Sequence, residues 1–249
     1  MITDSFDPKS EPLITVASFI GEQKQIADTC VLTFSHVILS EMQKRFDLKK
    51  IDSLLTVNGE RPIYTFEYHG KTIVTALCGV GAPLAGAQVV ELNWQTGATK
   101  FILFGSAGSL HREATEGKYV VPTAAYRDEG MSYHYAPPAD YIAIKNADTV
   151  ASIFDELRAP YVKGRVWTTD AFYRETRDLF LARRSEGCIA VDMELAGVQA
   201  VCDFHGFALY DFLVTGDVLD APSYEPEGLS GANHDLDKLY LALEIARRV

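Results

Sequence analysis

Short runs rich in Val, Ile, Phe and Tyr alternate along the chain with longer stretches whose apolar residues recur every three or four positions. The runs Cys30–Phe34, Pro62–Tyr68, Lys71–Cys78, Phe101–Ala107, Tyr119–Ala125, Tyr161–Thr168, Ile189–Met193 and Tyr210–Thr215 predict strands. Between them, Val37–Phe46, Leu84–Thr96, Asp148–Arg158, Arg177–Glu186, Leu195–Phe204 and Asp235–Arg248 predict helices. In the last of these, Leu236, Leu239, Leu243 and Ala246 form one apolar face. FILFGSA and YDFLVTG are almost continuously apolar, as expected of strands buried on both faces. Tyr64–Tyr68 and Thr72–Leu77, joined through His69-Gly70, predict an antiparallel hairpin. The alternation as a whole predicts an α/β protein with a mixed central β-sheet flanked by helices. No repeat, low-complexity tract or Pro/Gly-rich linker interrupts it, so a single domain is expected over 13–249, after a polar extension over 1–12.

Composition narrows the function. The 249 residues carry a formal charge of −11, which argues against a nucleic-acid partner, because counterion release needs clustered Lys and Arg. No apolar run is long enough to span a bilayer and no polybasic segment marks a membrane partner. The acidic, polar start MITDSFDPKSEP lacks the basic and apolar regions of a secretory signal, so a cytoplasmic protein is expected. Cys30, Cys78, Cys188 and Cys202 are scattered without metal-ligand spacing, so no metal is expected and buried free thiols are.

In an α/β sheet, ligands collect beyond the carboxyl ends of the strands. That directs attention to Gly79–Gly81, Gly105–Gly108, Asp192–Glu194 and Gly216–Asp217. Gly105-Ser-Ala-Gly108 reads equally as a nest of amides for an anion, with the Ser106 hydroxyl added, or as a tight turn that needs glycine. In Val191-Asp-Met-Glu194-Leu-Ala-Gly197, the acidic residues either favour a helix start or leave Glu194 to accept two sugar hydroxyls beside Met193. Asp217 reads as a turn former or as a carboxyl with a raised pKa that serves as a general acid. Phe172 and Tyr173, within TTDAFYRE, either stack on a base or staple a loop to the core. His134, in DEGMSYHY, reads as a loop histidine. The nucleophile elbow, the dinucleotide fingerprint and the P-loop are all missing from the sequence.

Taken in order, GVG (79–81), FGSAGSL (104–110), TTDAFYRE (168–175), VDMELAG (191–197) and TGD (215–217) resemble the nucleoside phosphorylase/uridine phosphorylase superfamily. The spacing of Phe172, Glu194 and Asp217 is similar to that of the hexameric bacterial purine nucleoside phosphorylases. The resemblance runs from about Cys30 to the C-terminus, and the ordered set is far more specific than any one motif. It implies a three-layer fold and cleavage of a nucleoside N-glycosidic bond, purine favoured, by phosphorolysis. It further implies that Phe172, Tyr173 and Val191 hold the base, and that Glu194 and Met193 hold the ribose. Asp217 would protonate the departing purine, and Gly105, Ser106 and Ala107 would face the nucleophile. Inorganic phosphate would be the co-substrate, with no other cofactor. The implied assembly is a homo-oligomer built from dimers, up to a hexamer.

The chain departs from that pattern where phosphate binds. Arginines of the family are replaced by Leu103–Phe104 before the Gly-Ser turn and by Leu39 after the first strand, where Phe34-Ser-His36 replaces a Gly-Asp-Pro-type loop. Phosphate without a bidentate guanidinium is held less well. Arg61, Arg127, Arg174 or a neighbouring subunit are the candidate substitutes. The same departure resembles the hydrolytic methylthioadenosine nucleosidases, for which Glu22 or His36 would have to serve as base. A catalytically silent nucleoside-binding homologue is the third reading, and the presence of both Glu194 and Asp217 speaks against it.

Overall fold

Strand β1 (Thr29–Thr33) lies buried between two parallel neighbours, β4 (Lys71–Leu77) and β5 (Lys100–Ser109). Successive side chains leave a strand on opposite faces. Cys30 and Leu32 accordingly enter one apolar cluster and Val31 the other, while in β5 Phe101 and Leu103 part from Ile102 and Phe104 in the same way. Both clusters need helical cover, and this sets the layers of the computed structural model, which describes residues 1–57, 59–220 and 224–249.

On the first face lie α3 (Ala82–Thr96) and α8 (Leu195–His205), through residues such as Val89, Leu92, Val198 and Val201. On the second lie α2 (His36–Arg45), α6 (Ala147–Leu157) and α10 (Asp237–Arg248), through Met42, Phe154, Leu239 and Leu243. Phe101, Phe104, Phe154 and Phe212 are fully buried, each contributing about 1.5–3 kcal/mol in the usual reckoning of apolar burial. Shorter or peripheral helices are α1 (Ala17–Ile20), α4 (Arg112–Thr115), α5 (Ser132–Tyr135), α7 (Arg177–Ser185) and α9 (Leu229–His234). No residue before Thr29 is buried. All four cysteines are free and buried, as the sequence predicts.

The remaining strands are β2 (Lys49–Thr56), β3 (Gly59–Tyr68), β6 (Tyr119–Asp128), β7 (Tyr141–Ala143), β8 (Tyr161–Thr169), β9 (Cys188–Asp192) and β10 (Ala208–Val218). They form one mixed sheet in the order β10-β6-β8-β9-β5-β1-β4-β3-β2, with β7 on β6. Because β10 also pairs with β5, five strands close into a ring while β1, β4, β3 and β2 remain an open wing. The predicted hairpin is present: β3 and β4 meet through His69 and Gly70, both at positive φ, the geometry of a tight hairpin turn. Six of these strands and α-helices have no counterpart in the predicted set: β2, β7, α1, α4, α5 and α9. Strand β2 begins Lys-Lys and carries Asp52 and Ser53, the charged sequence of a sheet edge, which conceals the strand period. Strand β7 is only three residues long, and α9 is six.

Candidate active site

The site is assembled at strand ends. Strand β5 runs on past the predicted boundary, so Gly105–Gly108 is extended backbone rather than a turn, and neither glycine has a positive φ. Gly108 pairs with Val191 of β9, and a Cβ there would meet Leu219 at 2.7 Å, Val191 at 2.9 Å and the Asp217 carboxylate at 3.2 Å. Glycine is needed at this position for close approach, with Asp217 as one of the groups approaching.

Asp217 lies near the end of β10, at a shift of register opposite β5. The irregularity centres on Gly216, against which α9 is seated: a Cβ would meet Ala232 at 2.7 Å and Leu229 at 2.8 Å. Asp217 is buried, and burial raises its pKa; the Tyr224 hydroxyl beside it acts in the opposite direction.

In VDMELAG the two carboxylates separate their roles. Asp192 caps α8: its Oδ2 accepts from the amides of Glu194 (3.2 Å) and Leu195 (2.8 Å), and its Oδ1 accepts from Thr168 Oγ1 at 2.6 Å. Glu194 is thereby released from capping. Its Oε1 accepts from the Gly81 amide at 2.6 Å, while the Met193 carbonyl accepts from the Ala82 amide at 2.8 Å. These two bonds fasten the start of α3 to the end of β9. Burial, and then the nearby charge of Asp192, push the Glu194 pKa up.

Glu194, Asp217, Met193, Val191, Phe172, Gly105, Ser106 and Ala107 all line one cavity of about 420 Å³. A more open hollow of about 540 Å³ lies beyond β10 and contains neither Glu194 nor Asp217. Of the residues to which the resemblance gives a base, sugar or nucleophile role, Tyr173 alone does not line the cavity: it is 94% exposed and faces an outer groove with Arg177, Phe180 and Tyr224. The reason is local geometry. Phe172–Arg174 is a 3-10 turn, in which residues three apart share a face. Phe172 and Glu175 therefore border both the cavity and the groove, whereas Tyr173 borders the groove alone. Glu175 is a site residue that sequence reasoning missed, and burial together with the charge of Asp217 pushes its pKa up to about 7.

The opposite end of the cavity is built from Thr33, Phe34 and Ser35 after β1, Ser106 of β5, and Asn233, His234 and Lys238. Ser106 Oγ donates to Asn233 Oδ1, and Ser35 Oγ and His234 Nδ1 are hydrogen-bonded at 2.7 Å. Ser35 also caps α2, its Oγ accepting from the Ile38 amide at 3.1 Å. Asn233, His234 and Lys238 belong to none of the motifs read from the sequence.

Residues 35–242 match the family model of the Phosphorylase superfamily. The chain belongs to that superfamily. It is 27% identical, over 213 residues, to a DeoD-type purine nucleoside phosphorylase from Exiguobacterium sp., a match covering 80% of this chain and 87% of the relative. Its fold is similar to that of the 5'-methylthioadenosine/S-adenosyl homocysteine nucleosidase of Campylobacter jejuni (TM-score 0.73, 16% identity), covering 90% of this chain and 100% of the other. It is also similar to an AMP nucleosidase from Bacteroides thetaiotaomicron (TM-score 0.70, 20% identity), covering 90% and 88% of the two chains.

At the two positions where the resemblance implies phosphate-binding arginines, apolar side chains are built into the core. Leu103 is buried in the first apolar cluster and Leu39 packs against the second. None of the three candidate arginines lines the cavity. Arg127 is buried in its own network, donating to Ser132 Oγ at 2.8 Å and the Pro137 carbonyl at 2.6 Å beneath the Tyr133 ring. Arg174 is exposed, and Arg61 lies behind Gly79. The candidate bases Glu22 and His36 are both exposed and outside the cavity lining, and His134 is exposed on α5.

Proposed function

We propose that the protein cleaves the N-glycosidic bond of a nucleoside, purine favoured, by phosphorolysis to the free base and a pentose 1-phosphate. The observation that carries this reading is that Glu194, Asp217 and the Gly105–Ala107 strand end share the lining of a single cavity. A sugar hydrogen-bonded to one carboxyl, a base reaching the other and a nucleophile beside them all need to meet in one cavity.

In this reading Glu194 accepts the ribose 2′- and 3′-hydroxyls, and Phe172, Val191 and Met193 bound the base and the sugar. A phosphate oxygen forms its bond to C1′ as the C1′–N9 bond breaks. The electron pair of that bond passes into the purine, and Asp217 delivers its proton to N7, so the base departs neutral. Asp217 is left as carboxylate and is reprotonated from solvent. Its burial favours the acid form needed at the start. Inorganic phosphate is the co-substrate. An acidic chain with four buried free thiols fits a cytoplasmic setting, and among the described residues no helix is long and apolar enough to cross a membrane.

One observation favours a second reading, hydrolysis. His234 lines the nucleophile end, where no arginine does, and its imidazole could serve water as a base. A purine and pyrimidine nucleoside panel, turned over with and without phosphate, separates the two. Phosphate-dependent release of pentose 1-phosphate is expected; free pentose at a phosphate-independent rate would establish hydrolysis instead.

A further inference from the structure

The nucleophile end of the cavity contains a buried ammonium that the motifs do not explain. Lys238, in the first turn of α10, is 2% exposed. Lysine is almost never this buried without a partner that repays its desolvation. Its amine has three donors. Among the described residues one goes to the Ala232 carbonyl, and Asp235 acts on it only through space. The residue nevertheless lines the cavity, alongside Ser106, Asn233 and His234.

The charge pattern gives this placement a direction. Four carboxyl groups, Glu175, Asp192, Glu194 and Asp217, share the described lining with a single lysine, Lys238. Among the described lining residues Lys238 supplies the ammonium toward which an anion is drawn. Neutral donors are gathered at the same end. Ser106 and Asn233 are joined to each other, Ser35 and His234 likewise, so three separate chain segments converge there. The convergence depends on the missing side chain at Gly216, which lets α9 settle against β10.

We propose that Lys238, with Asn233 and His234, forms the subsite that holds inorganic phosphate beside Ser106, in place of the superfamily arginines that this chain has exchanged for Leu39 and Leu103. The assignment rests on the phosphorolytic reading for its role in turnover, but phosphate binding itself can be measured without turnover. A single ammonium binds phosphate as a point charge, without the bidentate fork of a guanidinium, so the neighbouring neutral donors matter more here. Burial pulls the Lys238 pKa down to about 8, against the opposing effect of Asp235, and a bound phosphate would restore the protonated form.

The test compares the wild type with Lys238→Met and Lys238→Arg, after circular dichroism has shown all three folded. Inorganic phosphate should raise the wild-type Tm, leave that of Lys238→Met unmoved, and raise that of Lys238→Arg. In turnover, Lys238→Met should raise the KM for phosphate at least tenfold while shifting the nucleoside KM less than twofold. A phosphate-induced Tm shift that survives in Lys238→Met overturns the assignment and leaves phosphorolysis standing. A Lys238-dependent shift in an enzyme that releases free pentose supports the subsite and refutes phosphorolysis. If a nucleoside 5′-monophosphate gives the Lys238-dependent shift and inorganic phosphate does not, the proposal fails for free phosphate, and the anion recognised is the substrate's own.

Discussion

The two ends of the cavity are built in opposite ways. The base and sugar end comes from compact motifs, each a strand end with its next few residues: Val191–Glu194, Phe172–Glu175 and Gly216–Asp217. The nucleophile end draws Ser35, Ser106, Asn233, His234 and Lys238 from the cap of α2, the central strand and the last two helices. The first end carries the motifs on which the resemblance rests, whereas the second carries a buried lysine that belongs to none of them. The difference teaches that motif reading finds the groups held at single strand ends and misses those that only the packing of distant segments brings together.

The sharpest way to test the acidic end is Asp217→Asn. A positioned general acid contributes roughly 10²–10⁴-fold, so kcat should fall by about that factor with the fold intact. In the wild type, kcat/KM should decline as pH rises through the raised Asp217 pKa, because the protonated form is the active one; Asp217→Asn should lose that limb. A pH–rate profile for both proteins checks the sign as well as the size.

Glu194→Gln keeps the volume and replaces one hydroxyl-accepting oxygen with an amide nitrogen. A hydrogen bond contributes about 0.5–1.5 kcal/mol net, so kcat/KM for a ribonucleoside should drop roughly 2- to 10-fold. The drop should be smaller for the 2′-deoxy substrate, which makes one bond fewer. Phe172→Ala should raise the nucleoside KM several-fold, on the order of the 0.5–1.5 kcal/mol of an aromatic contact. Tyr173→Ala, one residue away, should change it less than twofold, since Tyr173 faces the outer groove. Equal effects from the two would mean that the cavity and groove assignments of the 3-10 turn are wrong.

The smallest effect concerns stability rather than rate. Asp211, on β10, is buried, and its Oδ1 has no hydrogen-bond partner among the described residues. Burial raises its pKa well above the ordinary value, with the Asp192 and Glu194 charges adding to the shift. A folded-state pKa above the unfolded one contributes stability at low pH that is lost as pH rises through it. Asp211→Asn should therefore raise Tm more at pH 8 than at pH 5, by about 2–4 °C for each kcal/mol recovered in a chain of this size. Thermal melts at the two pH values decide it.

How much of this was legible follows from where each signal lies. The core strands were readable because burial on both faces leaves continuous apolar runs, as in β5 and β10. The edge strand β2 was not, since Lys49, Lys50 and Asp52 face the needs of an edge rather than of a core. At the site, Glu194 and Asp217 were readable from motifs at strand ends. Their local meaning was left open until the structure gave the capping role to Asp192 and the close approach to Gly108. Glu175 could have been found from the three-residue spacing to Phe172. Lys238 could not, because an isolated lysine in an amphipathic helix looks like a solvated one, and only the seating of α9 and α10 shows that it is enclosed.

The central claim is that this cavity transfers a pentose between a purine and phosphate, and the reverse reaction tests it most directly. Hypoxanthine, guanine or adenine incubated with ribose 1-phosphate should give the corresponding nucleoside and inorganic phosphate at a rate abolished by Asp217→Asn. An enzyme that consumes nucleosides yet forms none from ribose 1-phosphate under these conditions would contradict the account and make the protein a hydrolase.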